Sequence, residues 1–142
     1  MQTVNKSITI NAPTSKVWQA LTTPDQMRQW MSETEIEVIT DWSVGGPFII
    51  RGPWYKTHFE NKGILLRYEN EKALSYSHLS SLSRLPDVPE NYTVLSFTLQ
   101  HEGEKTRVNL ELSNFPTDAI YHHFNYYWNV ALDLLRKFVE RQ

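Results

Sequence analysis

From Val4 to Ile10, apolar and polar residues alternate. Val4, Ile8 and Ile10 fall on one face, with Thr3, Asn5, Ser7 and Thr9 on the other. A period of two is that of a strand with one buried side. Ala12-Pro13-Thr14 breaks the alternation, and Thr14 or Ser15 is placed to cap a helix by accepting from its free backbone N–H groups. Val17, Trp18 and Leu21 then form one apolar stripe of helical spacing. Thr23-Pro24 ends that helix, because proline cannot continue the hydrogen-bond ladder. Pro24 also suits the first turn of a second short helix, reaching about Trp30.

A run of half-buried strands follows. Ile36 and Val38 alternate with the acidic residues Glu35 and Glu37, which share a solvated face with Glu33. Gly45-Gly46 marks a tight turn, since glycine takes positive φ at little cost, and Phe48 and Ile50 resume the pattern. Ile64, Leu66 and Tyr68 share one face; Leu74, Tyr76 and His78 share another. Leu95, Phe97 and Leu99 are in phase, as are Val108, Leu110 and Leu112, and His101-Glu102-Gly103-Glu104 joins these last two strands as a hairpin turn. Alternation of this kind belongs to antiparallel strands with one wet face, not to a parallel sheet buried on both sides.

The longest pattern is the last. Pro116-Thr117-Asp118 opens a helix running nearly to Gln142. Ile120, Phe124, Tyr127, Trp128, Ala131, Leu134, Leu135 and Phe138 keep the 3.6-residue period along it. Arg136, Lys137 and Arg141 near its end suit the negative pole of the helix dipole. The order is one strand, two short helices, several antiparallel strands and one long helix. An apolar sheet face must be covered, and the long helix is the element able to cover it. The fold class is therefore α+β, a strongly bent antiparallel sheet wrapped around the C-terminal helix. Residues 1–142 form a single domain without repeat or linker. Ser80 to Asn91, carrying Pro86 and Pro89, is unpatterned and reads as a mobile loop.

Several strings within this order resemble the activator of Hsp90 ATPase homologue family of the START-like (SRPBCC) superfamily. They are Ile10-Asn11-Ala12-Pro13, then Val17 to Pro24 with Met27 and Trp30, then Val44-Gly45-Gly46-Pro47-Phe48 and Gly63-Ile64-Leu65. Ser96-Phe97-Thr98-Leu99, Thr106-Arg107-Val108, and Trp128 with Leu132 and Leu135 complete them. The resemblance implies the helix-grip fold, with a cavity between sheet and helix that relatives use for lipids, hormones or polyketides and a minority use for chemistry. The co-chaperone that names the family carries a separate N-terminal domain, for which 142 residues leave no room. That argues against an Hsp90 partnership here. The segment Tyr121 to Trp128 is also more aromatic than the resemblance leads one to expect.

Composition sharpens the picture. Aromatic residues are 13% of the chain, too many to leave in water, so many must line a core or a cavity. The formal charge of -2 offers no basic excess to neutralise phosphates, which excludes general nucleic-acid binding. With no cysteine, disulfides, thiol catalysis and cysteine-ligated zinc are excluded. No signal-like or membrane-spanning apolar run is present, and a cytoplasmic location is the expectation.

Candidate chemistry rests on rings. Trp30, Phe48, Trp54, Tyr76, Phe97, Phe115, Phe124 and Trp128 come from different elements that should converge, and apolar aromatic walls with a few polar groups are what small-molecule pockets use. The alternative is that these rings simply fill the core. His78, in phase with Tyr76, could hydrogen-bond a polar ligand atom or act as a general base. His58, among Trp54, Tyr55 and Phe59, has no defined facing. His122 and His123 are neighbours on a helix and project about 100° apart, so they cannot share a metal; no metal or other cofactor is expected. Nucleophile-elbow, P-loop and dinucleotide strings are absent. The expected function is binding of a small hydrophobic or aromatic molecule between sheet and helix. Two other readings stand beside it: a cyclase- or hydrolase-type enzyme using His78 or Tyr76, and a protein-interaction module akin to the Hsp90 activators.

Overall fold

A computed structural model describes residues 2–32 and 34–142, so the placing of Glu33 on an acidic strand face lies outside the described residues. The chain runs β1 (Val4–Ile10), α1 (Thr14–Thr22), α2 (Pro24–Met31), β2 (Glu37–Thr40), β3 (Pro47–Trp54), β4 (Thr57–Glu69) and β5 (Ala73–Ser80). Two 3-10 turns (Ser81–Ser83 and Pro89–Asn91) precede β6 (Thr93–Glu102), β7 (Lys105–Ser113) and α3 (Asp118–Glu140). Among the described residues the strands form one seven-stranded antiparallel sheet in the order β1-β7-β6-β5-β4-β3-β2. The sheet curls around α3, with α1 and α2 beside it, which is the helix-grip architecture.

Local chemistry accounts for most of these boundaries. Pro24 is the first residue of α2, as its fixed φ and missing N–H favour. Thr117 caps α3 by accepting from the Ile120 N–H at 3.1 Å. At α1 the expected side-chain cap is not made. Pro13 takes the cap position, and Thr14 is already helical. The Thr14 hydroxyl instead lies 3.1 Å from that of fully buried Thr106, which donates to the Ala12 carbonyl at 2.9 Å. The Trp30 indole N–H donates to the Ala20 carbonyl at 2.8 Å and ties α2 to α1.

The main departure from simple alternation is in β4. Leu65, not Ile64 or Leu66, is fully buried, while those two are nearly half exposed. A bulge between Leu65 and Arg67 causes this: Leu65 pairs with Tyr76, yet Arg67 pairs with Ser75, so one extra residue is inserted. The insertion resets the phase and brings Tyr68 back to the inside, against Trp18 and Trp42. The Gly45-Gly46 turn, with Gly45 at φ 91, clasps the same point. Gly45 N–H donates to the Leu65 carbonyl and Leu65 N–H to the Gly46 carbonyl.

On α3 the buried face is Phe124, Trp128, Ala131, Leu132, Leu135 and Val139, and Leu134, expected inside, is 40% exposed. The segment after β5 is not the unstructured loop expected. Besides its two 3-10 turns, Tyr92 donates to Asp87 at 2.6 Å, Asn91 to the Pro86 carbonyl at 2.8 Å, and Asn114 to the carbonyls of Glu90 and Tyr92. Lys62 pairs with Asp87 at 2.5 Å.

Candidate functional site

Between the curled sheet and α3 the space is built of rings. Phe48 of β3 stacks on Tyr76 of β5 with centroids 4.1 Å apart and planes 17° from parallel. Tyr76 lies parallel to Phe97 of β6 at 6.3 Å. Phe97 meets Trp128 of α3 edge-on at 5.5 Å, and Trp128 meets Trp30 of α2 at 6.2 Å. Five of the residues expected to converge therefore form one connected set, drawn from five elements. Phe124 joins Phe115 at 6.2 Å and the His78 ring at 4.9 Å, a second set beside the first turns of α3. His123 links the two, lying against both Phe124 and Tyr127, and Tyr127 packs on Trp128. Offset and edge-on contacts of this kind add to the burial of the rings themselves.

Trp54 does not join them. It is 47% exposed at the β3–β4 hairpin tip and packs edge-on against Tyr55. Its β3 register gives it an inward parity with Phe48 and Ile50, but the strand has run past the end of the core by that point. His58 beside it is also exposed. His122 stands on the surface within 3.4 Å of Asp118.

Three polar side chains interrupt the aromatic interior. Tyr127 donates its phenol to the Met31 carbonyl at 2.5 Å, and burial pushes its pKa up to about 12. Burial, with Tyr127 nearby, pushes the Tyr76 phenol higher still. Both stay protonated at neutral pH, so neither is present as a phenolate base. Burial, and secondarily His123, pushes His78 down to about 4, so its imidazole is neutral at pH 7. Neither Tyr76 nor His78 has a side-chain hydrogen-bond partner among the described residues, whereas Tyr127 does. The one sealed-off polar side-chain atom without a partner among the described residues is Gln26 Oε1. Tyr76 is buried, at 4% exposure, and His78 is half-buried.

Two hollows lie elsewhere. One of about 210 Å³ is lined by Glu60, Lys62, Leu79, Leu85 and Asp87, and a wide one of about 550 Å³ by Thr14, Asn70, Lys72, Leu99 and His101. Neither is lined by α3. Among the described residues no three of His, Asp and Glu gather in a metal-holding arrangement, and no helix is long and apolar enough to cross a membrane.

The family model described as activator of Hsp90 ATPase homolog 1-like protein matches residues 11–140. The chain belongs to that family. ChR145 from Cytophaga hutchinsonii shares 34% identity with this family member, over 99% of this chain and 95% of that chain, with a TM-score of 0.84. The Aha1 dimer from Colwellia psychrerythraea gives 25% identity, 99% and 97% coverage and a TM-score of 0.76. DynU16, a protein in the dynemicin biosynthetic locus, shares the fold at 17% identity, covering 99% of this chain and 48% of that one, with a TM-score of 0.74. No protein of curated function matches.

Sequence reasoning passed over Tyr127 and Trp42 as site residues. Tyr127 sat in the helical stripe, and its phenol contact with α2 depends on where that helix docks. Trp42 follows a break in the pattern and takes φ 59, yet its ring packs on Phe48 and Tyr68. No local period signals either contact.

Proposed function

We propose that this family member binds a small, uncharged hydrophobic or aromatic molecule between the sheet and α3. Trp30, Phe48, Tyr76, Phe97, Phe115, Phe124 and Trp128 are the apolar walls, and Tyr76 and His78 the polar contacts. The observation that carries the reading is the pair of polar side chains, Tyr76 and His78, that have no side-chain hydrogen-bond partner among the described residues on an otherwise aromatic face. A protonated phenol and a neutral imidazole, each able to donate and to accept, suit a hydroxyl or carbonyl on a flat apolar ligand. The family's fold typically holds small hydrophobic ligands, and DynU16 belongs to a biosynthetic locus, which supports the same reading. The rings touch one another, so a ligand enters by displacing them, with Phe124 and His78 moving apart at the start of α3.

Catalysis in the same space is the weaker reading. A histidine whose pKa is about 4 is a feeble base at neutral pH, and both phenols are held protonated. A 15N–1H correlation titration with fatty acids, sterols and flavonoid-like aromatics tests the proposal. Shifts clustered on Tyr76, His78, Phe124 and Trp128 are expected from the flat aromatics. Absence of shifts from every compound identifies the rings as a filled core and overturns it.

A further inference from the structure

The β3–β4 hairpin carries its aromatic rings on the outside. Trp54 pairs with Thr57, so Tyr55 and Lys56 make a two-residue turn. Turns of this length favour glycine, asparagine or aspartate where φ is positive. Tyr55 stands there instead, at φ 53 and 90% exposed, with Trp54 47% exposed and edge-on to it at 4.9 Å. Every residue from Pro53 to His58 is exposed. A bulky ring at positive φ is strained, and at this exposure packing on the body does not offset the strain. Strain held at an exposed position points to a use outside the fold.

Shape and charge select the partner. The tip projects, and neither of the two hollows is lined by it, so it does not enclose a small ligand. Two rings on a turn fall far short of the roughly 800 Å² per partner that a stable protein interface buries. A bilayer surface asks for less. Tryptophan and tyrosine settle at the headgroup level, and lysine keeps its ammonium in the polar layer, where anionic lipids attract it. Lys56 lies in the turn, and no acidic residue occurs from Trp42 to Phe59. Glu35, Glu37 and Glu60 stand level with Arg51 and Gly52, and Glu37 pairs with Arg51 at 2.7 Å. That level is about 10 Å behind the tip at the rise of a strand, roughly a Debye length at physiological salt. The tip is thus a local cationic point on a chain of formal charge -2.

We propose that the β3–β4 hairpin tip, Pro53 to His58, is a membrane-docking element that seats Trp54 and Tyr55 at the headgroup level of an anionic phospholipid bilayer. Docking through one turn is reversible, so co-sedimentation of the full chain with vesicles reads it. Phosphatidylcholine vesicles with about 30 mol% phosphatidylserine are expected to carry the chain down at low salt and to release it at high salt. Vesicles of phosphatidylcholine alone are expected to carry down much less. Tyr55→Gly is expected to weaken partitioning at least about fivefold while the melting temperature holds or rises, because glycine relieves the positive φ. Trp54→Ser, at a position outside the core, is expected to weaken it as much. Lys56→Glu is expected to abolish the preference for anionic vesicles. Uptake of a lipid monomer between sheet and α3 leaves the chain in the supernatant, so this readout is separate from the ligand reading. A chain that stays in the supernatant with anionic vesicles, or partitioning unmoved by both Tyr55→Gly and Trp54→Ser, overturns the proposal. Equal partitioning into neutral and anionic vesicles overturns it as well.

Discussion

His78 shows how a single residue records its surroundings. Its ring is packed edge-on against Phe124, and burial lowers its pKa to about 4 from the 6.5 it has in an unfolded chain. The unfolded chain therefore binds a proton first as pH falls. Stability from this site is complete above about pH 6.5 and is lost progressively towards pH 4. The loss is about 2 kcal/mol, allowing for the partial exposure of the ring. Urea unfolding at pH 7.5 and 4.5 is expected to show it in the native chain. The difference is expected to shrink by that amount in His78→Phe, and an unchanged difference would place the ring in open water. The sequence placed His78 correctly in phase with Tyr76. It could not supply the pKa, which depends on Phe124 and His123 arriving from α3.

At the scale of the element, β4 decides the curvature. A Cβ built on Gly63 would lie 1.7 Å from the Ser77 carbonyl oxygen, closer than any real contact. Ser77 also receives the Ile64 N–H on its hydroxyl at 2.9 Å, so the β4 and β5 backbones touch here beside the bulge. Gly63→Ala must push the strands apart and break the clasp of the Gly45-Gly46 turn on Leu65. A loss of about 3 kcal/mol or more is expected by denaturant unfolding, in the range of severe backbone effects. Gly103→Ala, with φ 64 but open space around its Cβ, should cost only about 1 kcal/mol. Equal costs would show that conformation, not the close approach, governs both sites. Strand existence was legible because alternation is local. The bulge was not, because its signal is a contact between neighbouring strands.

At the scale of the molecule, the rings separate into a core and an outlier. Trp128 is 2% exposed and touches Trp30, Phe97 and Tyr127. Trp128→Ala is expected to cost about 4 kcal/mol, the usual range for deleting a buried aromatic. Trp54→Ala, at the hairpin tip, should change stability by less than about 0.5 kcal/mol. Thermal or denaturant unfolding of the two variants checks the contrast, and a costly Trp54→Ala would mean the tip packs onto the body in solution.

The sequence by itself determined the succession of elements, the antiparallel sheet, the covering role of the last helix and the aromatic character of the interior. These follow from periods of two and 3.6 and from the turn chemistry of proline and glycine, which each short stretch of chain carries alone. Tertiary structure alone decided which of two faces points inward after the β4 bulge, and that Leu132 rather than Leu134 enters the core. It also decided that Trp54 stands outside and that Tyr127 donates its phenol to Met31, while the Tyr76 phenol and His78 imidazole make no side-chain hydrogen bond among the described residues. Each of these depends on how far a strand or helix extends relative to a neighbour distant in sequence, and a periodic pattern holds no measure of that distance.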